Sequence, residues 1–254
     1  MDRQNKLIEI RNKLSNKIPS IGTWMQICNP SVAEILGSLN YDWVSVDMEH
    51  GSICKNDLPD IFRALELGNT LPLARVATFD SIECKNALDA GAGGVILPMI
   101  ENANQLKKVI NYCRFPPIGN RGVGYSRANL FGKNFELYSK EAQNPLIIAM
   151  IENITAVKNL ESILQVKGLD AIFIGPYDLS ASIGITGEFQ SIDFKKTLLK
   201  IIKLSIKYNI PYGIHIIQPN NDDLLIKIKE GYTFIANSID AVFLYQAAAF
   251  NINK

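Results

Sequence analysis

The chain has two histidines, His50 and His215, and both fall at the ends of short apolar runs. Asp47, Arg75, Glu152 and Asp178 hold equivalent run-end positions. Side chains of these types on one rim suit enolate chemistry. Glu152 and Asp178 are hard oxygen donors, matched to an octahedral Mg2+, Mn2+ or Co2+ with positions left for water and substrate. Such an ion can chelate the carboxylate and keto oxygens of a 2-oxoacid and act as a Lewis acid. Arg75 can add positive charge where an oxyanion develops. Histidine titrates in the range useful for proton transfer, which makes His50 the acid/base candidate. Asp47, three residues earlier, can orient its imidazole. Gly175-Pro176-Tyr177-Asp178 opens a helix, whose backbone N–H groups can hold a substrate carboxylate. No lysine lies in an apolar run, as a Schiff-base route requires. Taken singly, each residue has a plainer reading as a surface histidine, a structural ion pair or a helix cap. Their placement on one rim is what points to chemistry.

That rim depends on the elements that carry it. Short β-branched runs cover 21–27, 43–47, 71–76, 94–98, 146–152, 171–175, 212–217 and 233–236. They are apolar nearly throughout, as strands buried on both faces are. Helical periodicity covers 31–39, 57–67, 81–90, 102–112, 154–164, 193–208, 222–229 and 239–250. Asn29-Pro30 is a start signal, and Gly68 and Gly91 are stop signals. Repeated β-then-α units over this length predict an α/β fold, a single (β/α)8 TIM barrel domain spanning 1–254. In that fold the active site lies at the C-terminal ends of the strands, where the residues above fall. A doubly wound sheet that binds a dinucleotide needs a glycine-rich turn after its first strand. Asn29-Pro30-Ser31 stands there instead. The longest irregular stretch, 115–132, reads as a functional loop.

Composition narrows the partners. The 26 basic and 25 acidic side chains nearly cancel, so nucleic-acid or membrane-surface binding has no electrostatic support. Cys28, Cys54, Cys84 and Cys113 form no C-x-x-C pair and fit a reducing compartment. The N-terminus is charged and amphipathic with no apolar leader, and no apolar run is long enough to span a bilayer. A cytoplasmic location is expected.

At DWVSVDMEHG, LPLARV, LDAGAGGVILPMIENA, CRFPPIGNRGVGYSRANLFG, MIEN and GLDAIFIGPYDLSASIGITG the sequence resembles the class II pyruvate aldolases. These are typified by 4-hydroxy-2-oxoheptanedioate aldolase and 2-dehydro-3-deoxyglucarate aldolase. The resemblance runs from Gly22 to about Ala249. It implies metal-dependent, reversible retro-aldol cleavage of a 4-hydroxy-2-oxoacid to pyruvate and an aldehyde. It also implies a barrel whose last helix is exchanged between subunits, in a homohexamer built as a trimer of dimers. By the same resemblance Glu152 and Asp178 are the metal ligands, His50 is the base and Arg75 stabilises the enolate. Asp47 is the partner of His50, and Asp89 serves the active site of an adjacent subunit.

The sequence departs from the family pattern at several points. Met150 stands where many members have Gln, and Met48 where many have Gly. Asn237-Ser238-Ile239-Asp240 replaces a V-G-x-D pattern. His215 stands where members often carry an aliphatic residue, at a position facing the aldehyde portion of the substrate. It is expected to adapt the pocket to a polar or acidic acceptor. Two other functions stay open: an acyl-CoA lyase of citrate lyase β or malyl-CoA type, and a catalytically silent binding barrel. No basic patch for a CoA phosphate is evident, and no base or metal ligand is lost.

Overall fold

The computed structural model describes residues 1–249. Its strands are β1 (Ser20–Met25), β2 (Trp43–Asp47), β3 (Leu71–Arg75), β4 (Gly94–Leu97), β5 (Leu146–Ile151), β6 (Ala171–Ile174), β7 (Tyr212–Ile216) and β8 (Phe234–Ile239). Each pairs in parallel with the next, and β8 closes on β1. The outcome is a closed barrel of eight parallel strands with helices between them, as the sequence pattern predicts. The strands are buried almost end to end, which explains why they read as continuous apolar runs.

Alternate residues of each strand fill the barrel. At its lower end Trp43 stacks on Phe234 with ring centroids 4.2 Å apart. Gly22 makes room for this pair, since a Cβ there would lie 2.2 Å from the indole of Trp43. Above them Trp24 stacks on Phe173 at 5.4 Å. The aromatic layers form a solid base for the upper rim.

The lower end is closed by a helix, Arg3–Ser15, that precedes the first strand. Asp2 caps it by accepting from the Asn5 N–H. Leu7, Ile10 and Leu14 recur at helical spacing and pack with Trp43, Leu71, Leu146 and Phe234. Burial of each is worth about 1.5–3 kcal/mol. Arg11 and Lys13 fasten the helix to the barrel rim through Asp170 at 2.7 Å and Asp42 at 2.5 Å.

Four local expectations change. The single helix expected over 154–164 is two, Ile154–Lys158 and Leu160–Leu164, with Asn159 between them (φ −93°, ψ 6°). The Asn159 side chain donates to the Glu101 carbonyl at 2.9 Å, which ties the break between the two helices to the segment that follows β4. β8 runs past 236 to Ile239. The 115–132 stretch is a strap on the barrel's flank. Arg121 donates to the Tyr138 hydroxyl (2.7 Å) and the Cys113 carbonyl (3.1 Å), and Arg127 binds Glu66 (2.5 Å) and the Ala90 carbonyl (2.8 Å). These anchors belong to the chain segments that lead back to the strands' N-terminal ends. The last helix is Asp240–Ala248, and Phe250, expected within it, lies outside the described residues.

Candidate active site

β2 and β3 are in register with Asp47 opposite Arg75. That pairing sets the centre of the upper rim. Arg75 donates from Nε to Asp47 Oδ1 at 2.9 Å and from Nη2 to Oδ2 at 2.6 Å. Its remaining terminal nitrogen, Nη1, lies 2.9 Å from Glu49 Oε2. The guanidinium also sits over the Trp24 ring, 5.3 Å from its centroid. Asp47 is fully buried and takes further hydrogen bonds from Gln26 Nε2 (2.8 Å) and the Glu49 and His50 N–H groups. Burial alone would raise its carboxyl, but the bonds and charge of Arg75 outweigh this and hold it below the usual range.

The expected pairing of Asp47 with the His50 imidazole is not made. Asp47 holds His50 through its backbone N–H, and both carboxylate oxygens are committed to Arg75. The His50 side chain projects from the β2 loop into solvent. Asp47 therefore fixes the turn that carries His50 rather than the ring itself.

Glu152 follows β5 directly and is 4% exposed. Its Oε1 accepts from the Met99 N–H at 2.6 Å, an arrangement that holds Met99 at φ +51°. Such a left-handed conformation costs a non-glycine residue about 1–2 kcal/mol. Burial pushes the Glu152 carboxyl up to about 7, the Met99 N–H opposes this, and the charges of Glu49 and Asp178 add to it. Glu49 is likewise raised, first by burial, with Arg75 opposing. Gly175 is required beside Glu152, because a Cβ there would lie 2.9 Å from Oε2. Met150, which stands where the family pattern has Gln, is buried against this same wall. Met48 joins the apolar core outside the barrel.

Asp178 lies in the first turn of the helix Pro176–Ser182, with Gly175 as its cap. Asp178 is exposed toward the rim and close enough to Glu49 and Glu152 to repel both. Tyr177 is exposed and packs edge-on against Phe189 at 4.9 Å. The N–H groups of Tyr177 and Asp178 have no acceptor within the helix, as for any first turn.

These carboxylates suit a divalent cation. The charges of Glu49 and Asp178 both work against the Glu152 carboxylate, and Arg75 is the one cation that faces Glu49 Oε2 among the described residues. Among the described residues no three acidic, histidine or cysteine side chains already surround a cation-sized space. Glu152 and Asp178 are the carboxylates on this rim that could hold such a cation, since both are hard oxygen donors of the kind Mg2+ takes.

His215 faces the barrel interior below this rim. Its ring stacks on Trp24 at 5.0 Å, and Nε2 lies 3.1 Å from the Ser238 carbonyl. Burial pushes its pKa down to about 4, with the Ser238 bond opposing and Arg75 reinforcing. A neutral imidazole gives no positive charge to an acidic acceptor, so that part of the expectation for His215 loses its physical basis.

Asp89 is not on this rim. It lies near the C-terminal end of the helix Ser81–Ala90, half-buried, 3.9 Å from Arg121. Burial raises its carboxyl, with Arg121 and Lys85 opposing. Sequence reasoning also missed residues that the rim does contain. Gln26, Glu49 and Met99 all contact the central charges. Glu49 carried a usable signal, an acid two residues beyond a strand-end aspartate. A cavity of about 640 Å3 opens elsewhere, between Leu14, Ile210, Tyr212 and Thr233, at the N-terminal ends of the strands and away from this rim.

Comparison with known proteins places this rim in a family. A family model described as HpcH/HpaI aldolase/citrate lyase matches residues 20–247. The chain belongs to that family. It is an enzyme of a carbon–carbon lyase family, whose relatives are named aldolases. It is 36% identical over 240 residues to a hydroxypyruvate/pyruvate aldolase of Roseobacter denitrificans, covering 92% of this chain and 91% of that protein. It is 35% identical over 243 residues to a 4-hydroxy-2-oxovalerate aldolase of Novosphingobium aromaticivorans, covering 92% and 89%. Among solved structures, an HpcH/HpaI aldolase/citrate lyase family protein from Burkholderia cenocepacia J2315 superposes with a TM-score of 0.88. That pair is 29% identical, with 94% of this chain and 96% of the other covered. No helix among the described residues is long and apolar enough to cross a membrane.

Proposed function

We propose that this single barrel domain is a divalent-metal-dependent aldolase that reversibly cleaves a 4-hydroxy-2-oxoacid to pyruvate and an aldehyde. One observation carries the reading. Arg75 is locked by Asp47 and Glu49 on the same rim that bears Glu152, Asp178 and His50. Glu152 and Asp178 would hold Mg2+, Mn2+ or Co2+, which when bound supplies Lewis acidity toward the 2-oxoacid. The first-turn N–H groups of the Gly175-Pro176-Tyr177-Asp178 turn orient the substrate carboxylate. His50 takes the proton of the C4 hydroxyl as the C3–C4 bond breaks and the aldehyde departs. The electron pair passes toward the C2 oxygen, where the fixed charge of Arg75 stabilises it without having to reorganise. A proton then returns to C3 to give pyruvate.

The C-terminal helix Asp240–Ala248 docks on a neighbouring subunit in this reading. Only Asp240 of it is buried, and Leu244 and Tyr245 are 61% and 75% exposed. In a hexamer built as a trimer of dimers, Asp89 serves a neighbour's site. Sedimentation of the purified protein tests the assembly.

The activity is tested by coupling pyruvate release to lactate dehydrogenase and NADH, over 4-hydroxy-2-oxoacids of several lengths. Each assay runs with Mg2+, Mn2+, Co2+ or EDTA. Release that needs a metal and is lost in Glu152→Ala supports the reading. Metal binding without release from any substrate moves the weight to an acyl-CoA lyase.

A further inference from the structure

We propose that His215 is a specificity residue whose Nδ1 accepts a hydrogen bond from an uncharged hydroxyl of the substrate, making the site selective for hydroxylated compounds. This rests on the aldolase reading and names the substrate class within it.

The starting observation is a fixed tautomer. Nε2 lies 3.1 Å from the Ser238 carbonyl oxygen, which has no proton to give, so Nε2 must carry the hydrogen. That carbonyl is itself held in place. Ser238 adopts φ +62°, its hydroxyl donates to the Ile217 carbonyl at 2.8 Å, and Thr23 Oγ1 donates to the Ser238 carbonyl at 3.1 Å. The ring plane is fixed by stacking on Trp24.

Nδ1 is left over. Among the described residues it has no hydrogen-bond partner, and it is not one of the polar atoms sealed from solvent without one. Burial and the nearby Arg75 charge keep the ring neutral, so Nδ1 presents a lone pair and no proton. The barrel below is filled by Trp43, Phe234 and the N-terminal helix. Whatever reaches Nδ1 therefore comes from the catalytic mouth. Arg75 sits over the same Trp24 ring, which puts His215 one side chain from the reacting centre. A lone pair there welcomes a hydroxyl donor. It gives nothing to a methyl group and repels a carboxylate.

The hydroxyl could belong to the 2-oxoacid half or to the aldehyde half, and the test separates them. In the aldol-addition direction, kcat/KM is compared for hydroxypyruvate against pyruvate with one aldehyde. It is then compared for glycolaldehyde against acetaldehyde and glyoxylate with pyruvate. Wild type, His215→Leu and His215→Gln are assayed. Wild type is expected to favour the hydroxylated compound about tenfold in one arm, the value of one hydrogen bond near a charged site. The ratio should collapse to within about twofold in His215→Leu. His215→Gln, which keeps an acceptor oxygen, should retain part of it. Ring-nitrogen 15N shifts should show Nδ1 unprotonated at neutral pH.

Equal wild-type rates in both arms overturn the proposal, as does a ratio unchanged in both variants or a protonated Nδ1. If His215→Leu fails to fold by circular dichroism, His215→Gln decides. Absence of all aldol turnover overturns the aldolase reading and this inference with it. Turnover that is blind to hydroxyls overturns this inference alone.

Discussion

Arg75 and Asp47 are cross-strand partners that meet in a two-point ion pair, with both carboxylate oxygens engaged at 2.9 and 2.6 Å. The pair is almost wholly buried. Removing Asp47 leaves the enclosed Arg75 charge with only Glu49 to match it, which costs up to about 3–5 kcal/mol. Asp47→Ala should lower unfolding stability by about that much in urea titrations. It should also cut kcat, because Arg75 loses the hold that aims it.

Arg75→Lys tests geometry apart from charge. Lysine keeps the positive charge but cannot span Asp47 and Glu49 together. A drop in kcat/KM of roughly 10²–10³-fold is expected, typical of losing one oriented oxyanion donor. A near-normal rate would show that charge alone suffices.

His50 is exposed and its side chain supports no packing. His50→Ala should therefore leave the unfolding stability measured in urea within about 0.5 kcal/mol of wild type. Its kcat should fall about 10²–10⁴-fold, the range for loss of a general acid/base. The combination separates a chemical role from a structural one.

Glu152 gives a pH signature in metal-free protein. Its folded pKa is raised to about 7 from an ordinary 4.5, so the folded state binds the proton more tightly than the unfolded state. The sign follows from linkage. Its contribution is complete below pH about 4.5 and is lost as pH rises through about 7. Relative to Glu152→Gln, metal-free wild type should lose roughly 3 kcal/mol of stability across that window. A flat difference between the two proteins would contradict the raised pKa. Added Mg2+ or Mn2+ should restore wild type above pH 7 and leave the variant unchanged.

Gly175→Ala places a methyl group 2.9 Å from Glu152 Oε2 and 3.0 Å from its Cβ. The carboxylate has to move while the strand beneath it stays. Divalent-cation affinity measured by calorimetry should weaken about 10–100-fold, as when the support of a metal ligand is disturbed. Near-ultraviolet circular dichroism should keep its native form.

Much of this was legible in the sequence, for physical reasons. A strand buried on both faces must be apolar, so Leu146–Ile151 and Ala171–Ile174 announce themselves. A polar residue at the end of such a run or a few residues beyond it must lie at the barrel's end, which located Arg75, Glu152 and Asp178. What was not legible depends on register. Asp47 is three residues from His50 in sequence, yet its side chain belongs to Arg75 on the next strand. The Glu152–Met99 bond needs a left-handed turn that no residue type announces at Met99. The N-terminal helix hid its role because only Leu7, Ile10 and Leu14 among its residues are buried, a narrow stripe in a polar segment.

That helix also sets the order of events during synthesis. It leaves the ribosome before any of the eight strands, yet the surfaces that receive it arrive late. Its Arg3 binds Glu141, its Arg11 binds Asp170, and its apolar stripe meets Phe234. Until those segments emerge, Leu7, Ile10 and Leu14 have no complete partner surface. Sealing of the barrel is therefore a closing step made by an element older than every strand, and a nascent protein lacking its last strand carries an uncovered apolar stripe that a chaperone can hold.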